Sequence, residues 1–210
     1  MFKNHLTITI CAILILIVLN VFCIRRGNYY KNEFYSQREI IDKQNKFKVF
    51  LNQLMANIEL IYENGDFIIS QQTKVFDEDK NEILLRDLIK GNNKIIFRYS
   101  QLGCMACVDK ELKRIDNLAK KIGYDKIIVL ATYFSNRDLY SYKRVNDIKV
   151  EMYNIPIGSF HNDIEKLKIP YIFIVNKTLE IKSLFIPRKD IPQLTEEYYK
   201  YISSSFENLE

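Results

Sequence analysis

The chain has 210 residues, 48% of them apolar and 27% charged, with a net charge of +5. That is enough apolar material for one packed domain with an appendage and too much for a disordered chain. The charge is dispersed, with no dense Lys/Arg block, which argues against nucleic-acid binding.

Residues 6–24, LTITICAILILIVLNVFCI, run for 19 positions without a charge. As a helix they span roughly 28 Å, close to the hydrocarbon thickness of a bilayer. The exit lacks a small-x-small cleavage site, and bulky Phe22 precedes Cys23 where lipoprotein processing wants a small residue. The favoured reading is therefore an uncleaved transmembrane anchor after a short flank, 1–5. A cleaved or lipidated signal is the alternative. Lys3 flanks one side and Arg25, Arg26 and Lys31 the other. The positive-inside rule would leave the larger part in the cytoplasm, although long domains translocate largely regardless of flanking charge.

Residues 29–62 contain neither Pro nor Gly. Phe47, Leu51, Leu54, Ile58 and Ile61 recur at spacings of four and three, an amphipathic helix with a narrow apolar seam interrupted by Gln44. The seam is expected to lie on the following domain; a stalk pairing with its twin in a homodimer is the alternative. A turn signal at 63–66 leads to a strand over 67–70, a weak strand over 74–76 and a short helix over 81–90. KIIFRY (94–99) reads as a buried strand, and it runs straight into Cys104-Met105-Ala106-Cys107. A helix with an apolar face at Val108, Leu112, Ile115, Ala119 and Ile122 follows and stops at Gly123. Next come a buried strand over 126–132, a helix over 138–145 capped by Ser135, a strand over 148–153 and a short helix over 159–167. After Pro170, a strand over 171–175, a turn, a strand over 180–186 and a C-terminal helix complete the chain. This alternation of strands and helices makes an α/β domain with a central sheet and helices on both faces.

Four cysteines are present, and only Cys104 and Cys107 lie outside the apolar N-terminal segment that holds Cys11 and Cys23. A bridge between them closes a very short loop and restricts the unfolded chain little, so the pair is more plausibly chemical than structural. Cys104 sits where a buried strand hands over to a helix, and the positive end of the helix dipole favours a thiolate there. Cys107, about one turn deeper, is placed to attack a mixed disulfide at Cys104. A structural zinc site needs about four ligands. The chain adds only His5 at the membrane edge and His161 to its cysteine pair, so a metal site would need a second chain.

KIIFRYSQLGCMACVDKEL, followed much later by KIPYIFIVN, resembles the thioredoxin-like superfamily, and within it the membrane-tethered TlpA/ResA-type thiol-disulfide oxidoreductases. The resemblance covers about residues 65–205 and implies a three-layer fold with a central mixed sheet flanked by helices. It also implies that Cys104 is the attacking thiol and Cys107 the resolving thiol. Pro170 would open its strand after a cis peptide bond, and the Ile169 backbone would pair with an extended substrate segment. No bound cofactor is implied beyond the cycling Cys104–Cys107 pair, and no metal. The strand over 148–153 fits a unit inserted in TlpA-like members. Three positions depart from the family pattern: Gly103 stands where an aromatic usually precedes the first cysteine, Met105-Ala106 separates the cysteines, and Arg98 occupies the place of a buried Asp or Asn. A cation there would lower a cysteine pKa, unless Arg98 points to solvent. The peroxiredoxin Thr-x-x-Cys motif is absent, and so is the C-x-x-x-C with downstream His of metallochaperones.

The expected activity is exchange of disulfides with extracytoplasmic proteins, as a reductase supplied by a membrane electron donor. A lone dithiol on an anchored domain makes most sense where protein disulfides exist, which favours an extracytoplasmic domain on a bacterial inner membrane against the flanking charge. A non-catalytic protein-binding module is the rival reading.

Overall fold

A computed structural model describes residues 2–65, 67–89, 91, 93–160 and 163–207, without the side chains of residues 2–15, 18 and 207. The chain divides into two compact units between Met55 and Ala56. Helix α1 is continuous from Phe2 to Asn64. Among the described residues no helix is long and apolar enough to cross a membrane. The side chains of most of the expected anchor, 6–24, lie outside that description. Leu60 and Ile61 pack on the sheet domain, whereas Ile58 remains 50% exposed. Earlier in the seam, Phe47 and Leu51 are exposed as well.

The second unit is built on a seven-stranded mixed sheet in the order β2-β1-β5-β4-β3-β6-β7. Its strands are β1 (Lys74–Phe76), β2 (Glu82–Leu84), β3 (Lys94–Ser100), β4 (Ile127–Thr132), β5 (Glu151–Asn154), β6 (Tyr171–Val175) and β7 (Ile181–Phe185). The central trio β5, β4 and β3 is parallel. β6 pairs antiparallel with β3 and β7 with β6, while β1 pairs antiparallel with β5 and β2 with β1. The helices are α2 (Leu85–Leu88), α3 (Met105–Ile122), α4 (Asn136–Val145), α5 (Asp163–Leu167) and α6 (Pro192–Glu207).

Period-two alternation sorts the central strands onto two faces. Ile95, Phe97, Tyr99, Ile127, Val129, Ala131, Ile172 and Ile174 face one core, under α3, α4 and α6. Ile96, Ile128, Leu130, Tyr171, Phe173 and Val175 face the other, with Leu85 of α2, Ile164 of α5 and the end of α1. The expected mixed sheet flanked by helices is present.

Three local expectations are corrected. Residues 67–70 form no strand: a single bridge joins Ile68 to Glu180 beside β7, and Ile68 is exposed. The helix expected over 81–90 is one turn long, because Glu82, Ile83 and Leu84 pair with β1 instead. Ser135 occupies the N-cap of α4, but its side chain makes no capping hydrogen bond.

Tyrosines thicken the first core. Burial pushes the phenols of Tyr99, Tyr140, Tyr142, Tyr198 and Tyr199 well above their ordinary value of 10.0. Burial, then Glu151, pushes Tyr153 up to about 12. A phenol whose folded pKa is raised contributes stability that is complete below the unfolded pKa and is lost as pH rises towards the folded one. The domain is therefore expected to unfold on the alkaline side, above about pH 10, with phenolate absorbance appearing together with loss of near-ultraviolet circular dichroism. Smooth ionisation of all 14 tyrosines in a protein that stays folded would contradict this.

Candidate redox site

The site lies at the carboxyl end of β3. Past Ser100 the chain stays tied to the sheet edge, since Gln101 N–H donates to the Thr132 carbonyl at 2.9 Å. The Ser100 carbonyl then accepts from Gly103 N–H at 3.0 Å, and the Ser100 hydroxyl accepts from Leu102 N–H at 3.2 Å, which turns the chain into α3. Cys104 is the N-cap residue of α3, with extended backbone and no side-chain cap bond. Its carbonyl accepts the first helical hydrogen bonds, from Cys107 and Val108.

Cys104 and Cys107 are joined by a disulfide, with their Cα atoms 5.3 Å apart. That separation is ordinary for a disulfide. Cys104 is exposed and Cys107 half-buried, so Cys104 is the more accessible residue of the pair. Neighbouring Leu102 and Met105 differ in the same way, Leu102 being exposed and Met105 packed against the first core.

Gly103 has a packing reason. A Cβ at this position would overlap the Lys168 carbonyl oxygen and come within 3.3 Å of the Ser100 carbonyl oxygen. The absence of a side chain lets the segment just before β6 close directly onto the dithiol loop. That contact brings the Lys168 carbonyl, one and two residues before Ile169 and Pro170, against the residue that precedes Cys104. An aromatic at 103 has no room here.

The cis expectation is corrected: the Ile169–Pro170 peptide is trans. The reversal falls instead on Lys168, which has φ 55°. With the turn made there, the Xaa-Pro bond keeps its generally favoured isomer. Pro170 is buried, and Ile169 packs against the second core.

Arg98 is also corrected. It is 2% exposed and does not point to solvent. Its side chain lies on the second face of the sheet, opposite α3, where its Nη2 pairs with Glu165 Oε2 at 2.7 Å and donates to Thr132 Oγ1 at 2.7 Å. Its Nη1 donates to the Tyr99 carbonyl and, at 3.4 Å, to the Leu130 carbonyl. The hydrogen bonds of the guanidinium thus go to β3, β4 and α5, and its charge is matched by Glu165.

Glu165 was not legible as a functional candidate in the sequence. The signal for it is Arg98 itself, since a cation in a buried strand requires an anion from elsewhere in the fold. Among the described residues no cluster of His, Cys, Asp and Glu could hold a metal ion. His161, weighed as a ligand, lies outside the described residues, as does the side chain of His5.

No family model matches the chain. No curated protein sequence matches it either. Solved structures do align with it. The thioredoxin domain of a thiol-disulfide oxidoreductase from Bacteroides vulgatus does so with a TM-score of 0.45 at 16% identity, over 63% of this chain and 98% of that one. The peroxidoxin BcpB from Mycobacterium tuberculosis gives 0.49 at 10% identity, over 65% and 94%. The exposed lipoprotein thioredoxin of Streptococcus pneumoniae gives 0.44 at 16% identity, over 64% and 98%. At this level they describe a likeness and carry no assignment of activity.

Proposed function

We propose that the protein is a thioredoxin-like thiol-disulfide oxidoreductase, tethered to a membrane through residues 6–24 and working on extracytoplasmic proteins as a reductase. The observation that carries this reading is the exposed Cys104 at the N-terminus of α3, bonded to the half-buried Cys107. The uncharged apolar run at 6–24 supports the tether, and a domain with this single cysteine pair is most useful where protein disulfides form.

In the reduced protein, the Cys104 thiolate, favoured by the helix terminus, attacks one sulfur of a substrate disulfide. A Cys104–substrate disulfide forms and the second substrate sulfur leaves as a thiolate. Cys107, losing its proton to solvent, then attacks the Cys104 sulfur. The substrate leaves as a dithiol and the Cys104–Cys107 disulfide closes, two electrons having passed to the substrate. A membrane dithiol donor supplies the next two electrons and restores the reduced pair. The α1 seam, exposed at Phe47 and Leu51, is available for homodimerisation.

The test is turnover of a disulfide-bonded protein with a dithiol reductant. Cys104→Ser is expected to drop the rate to that of the reductant alone. A Cys104→Ser protein that keeps binding partner proteins, beside a wild type without turnover, would favour the non-catalytic binding module.

A further inference from the structure

Resting on that reading, we infer that the buried Arg98–Glu165 pair positions the substrate-binding side of the site, setting the distance between Cys104 and the Ile169 backbone. Helix α5 has only five residues and cannot hold itself in place. It is held from three directions. Ile164 is fully buried in the second core. The Asn64 side chain at the end of α1 accepts from Asp163 N–H at 3.0 Å. Glu165 reaches across to β3, accepting from Arg98 through Oε2 at 2.7 Å and from the Tyr171 hydroxyl through Oε1 at 2.7 Å.

The two ends of this pair are the two sides of the site. Arg98 stands in β3, the strand that delivers Cys104. Glu165 stands in the last turn before Lys168, and its own carbonyl accepts from Lys168 N–H at 3.3 Å. The Lys168 carbonyl in turn lies against Gly103. A closed circuit therefore runs from β3 through Arg98, Glu165, Lys168 and Gly103 back to β3. Thr132 completes the bracket, its hydroxyl accepting from Arg98 and donating to the Ile155 carbonyl at 2.7 Å. The hydrogen bonds of this circuit join β3, β4 and α5 rather than the cysteines. Their effect falls on the backbone that an extended substrate meets, and a disulfide too small to reach that backbone is insensitive to them.

The experiment compares two disulfides, hydroxyethyl disulfide and a disulfide-bonded unfolded protein, with the full-length wild type and Glu165→Gln. The expected result for Glu165→Gln is a KM for the protein substrate raised about tenfold, as for loss of a charge-assisted hydrogen bond. The rate with hydroxyethyl disulfide stays at the wild-type value, and Glu165→Asp recovers part of the KM. Parallel changes with both substrates, or no change with either, would overturn the positioning role. Tyr171→Phe, which removes one bond to Glu165 and keeps the ring, gives the same comparison should Glu165→Gln not fold. Its KM rises with the protein substrate alone if the inference is right, and an unchanged KM overturns it. A wild type inactive on both substrates would instead sink the exchange reading itself.

Discussion

Cys107→Ser is expected to turn the protein into a covalent trap, accumulating up to about one substrate per molecule through Cys104. Release requires a second thiol close behind the first, and Cys107, three positions on and bonded to Cys104, provides it. Exposure makes the assignment directional. If the exposed Cys104 is the attacking thiol and the half-buried Cys107 the resolving one, Cys104→Ser should trap almost nothing while Cys107→Ser traps stoichiometrically. Non-reducing electrophoresis of alkylated extracts, with and without later reduction, reads both variants. Equal trapping by the two would reverse or abolish the assigned roles.

Arg98→Met should cost about 3–5 kcal/mol of stability, the loss seen when one member of a buried ion pair is removed. The Glu165 side chain is 10% exposed, so its carboxylate loses the matching guanidinium without gaining full hydration. For a domain of this size the melting temperature should fall by about 10 °C. Arg98→Met with Glu165→Met should recover most of the loss, because replacing both partners by apolar groups is often nearly neutral. Thermal melts of the two variants decide the matter. A single variant as stable as the wild type would show that the pair carries no energetic weight. The double variant separates two roles of the pair: a domain restored in stability but still weak in binding protein substrates fits a positioning pair, and full recovery of both does not.

Much of the sheet was legible because central strands advertise themselves. KIIFRY, KIIVLAT and YIFIV are buried on both faces, and nearly continuous runs of apolar residues leave little doubt about strand character. Edge elements were not. The run over 67–70 has the same local character as a strand, yet it makes only a bridge, because the sheet offers it little more than the end of β7. Glu82, Ile83 and Leu84 were drawn from a helix into a strand by β1, a partner that local propensity does not contain.

The site divides in the same way. The sequence by itself determined the dithiol: the spacing of Cys104 and Cys107, the strand before them and the helix after them are all local, and short-range periodicity and helix-terminus electrostatics act within a few residues. Only the tertiary structure decided what surrounds it. Gly103 looked like a lost aromatic until the Lys168 carbonyl, 65 positions away, closed against it. Pro170 looked cis until the turn proved to lie at Lys168. Arg98 looked like a cation free to act on a thiol until Glu165 met it across 67 positions. These are close approaches between backbone and charge from distant parts of the chain. They depend on how strands pack into a sheet and helices onto its faces, and no periodicity within a segment encodes them.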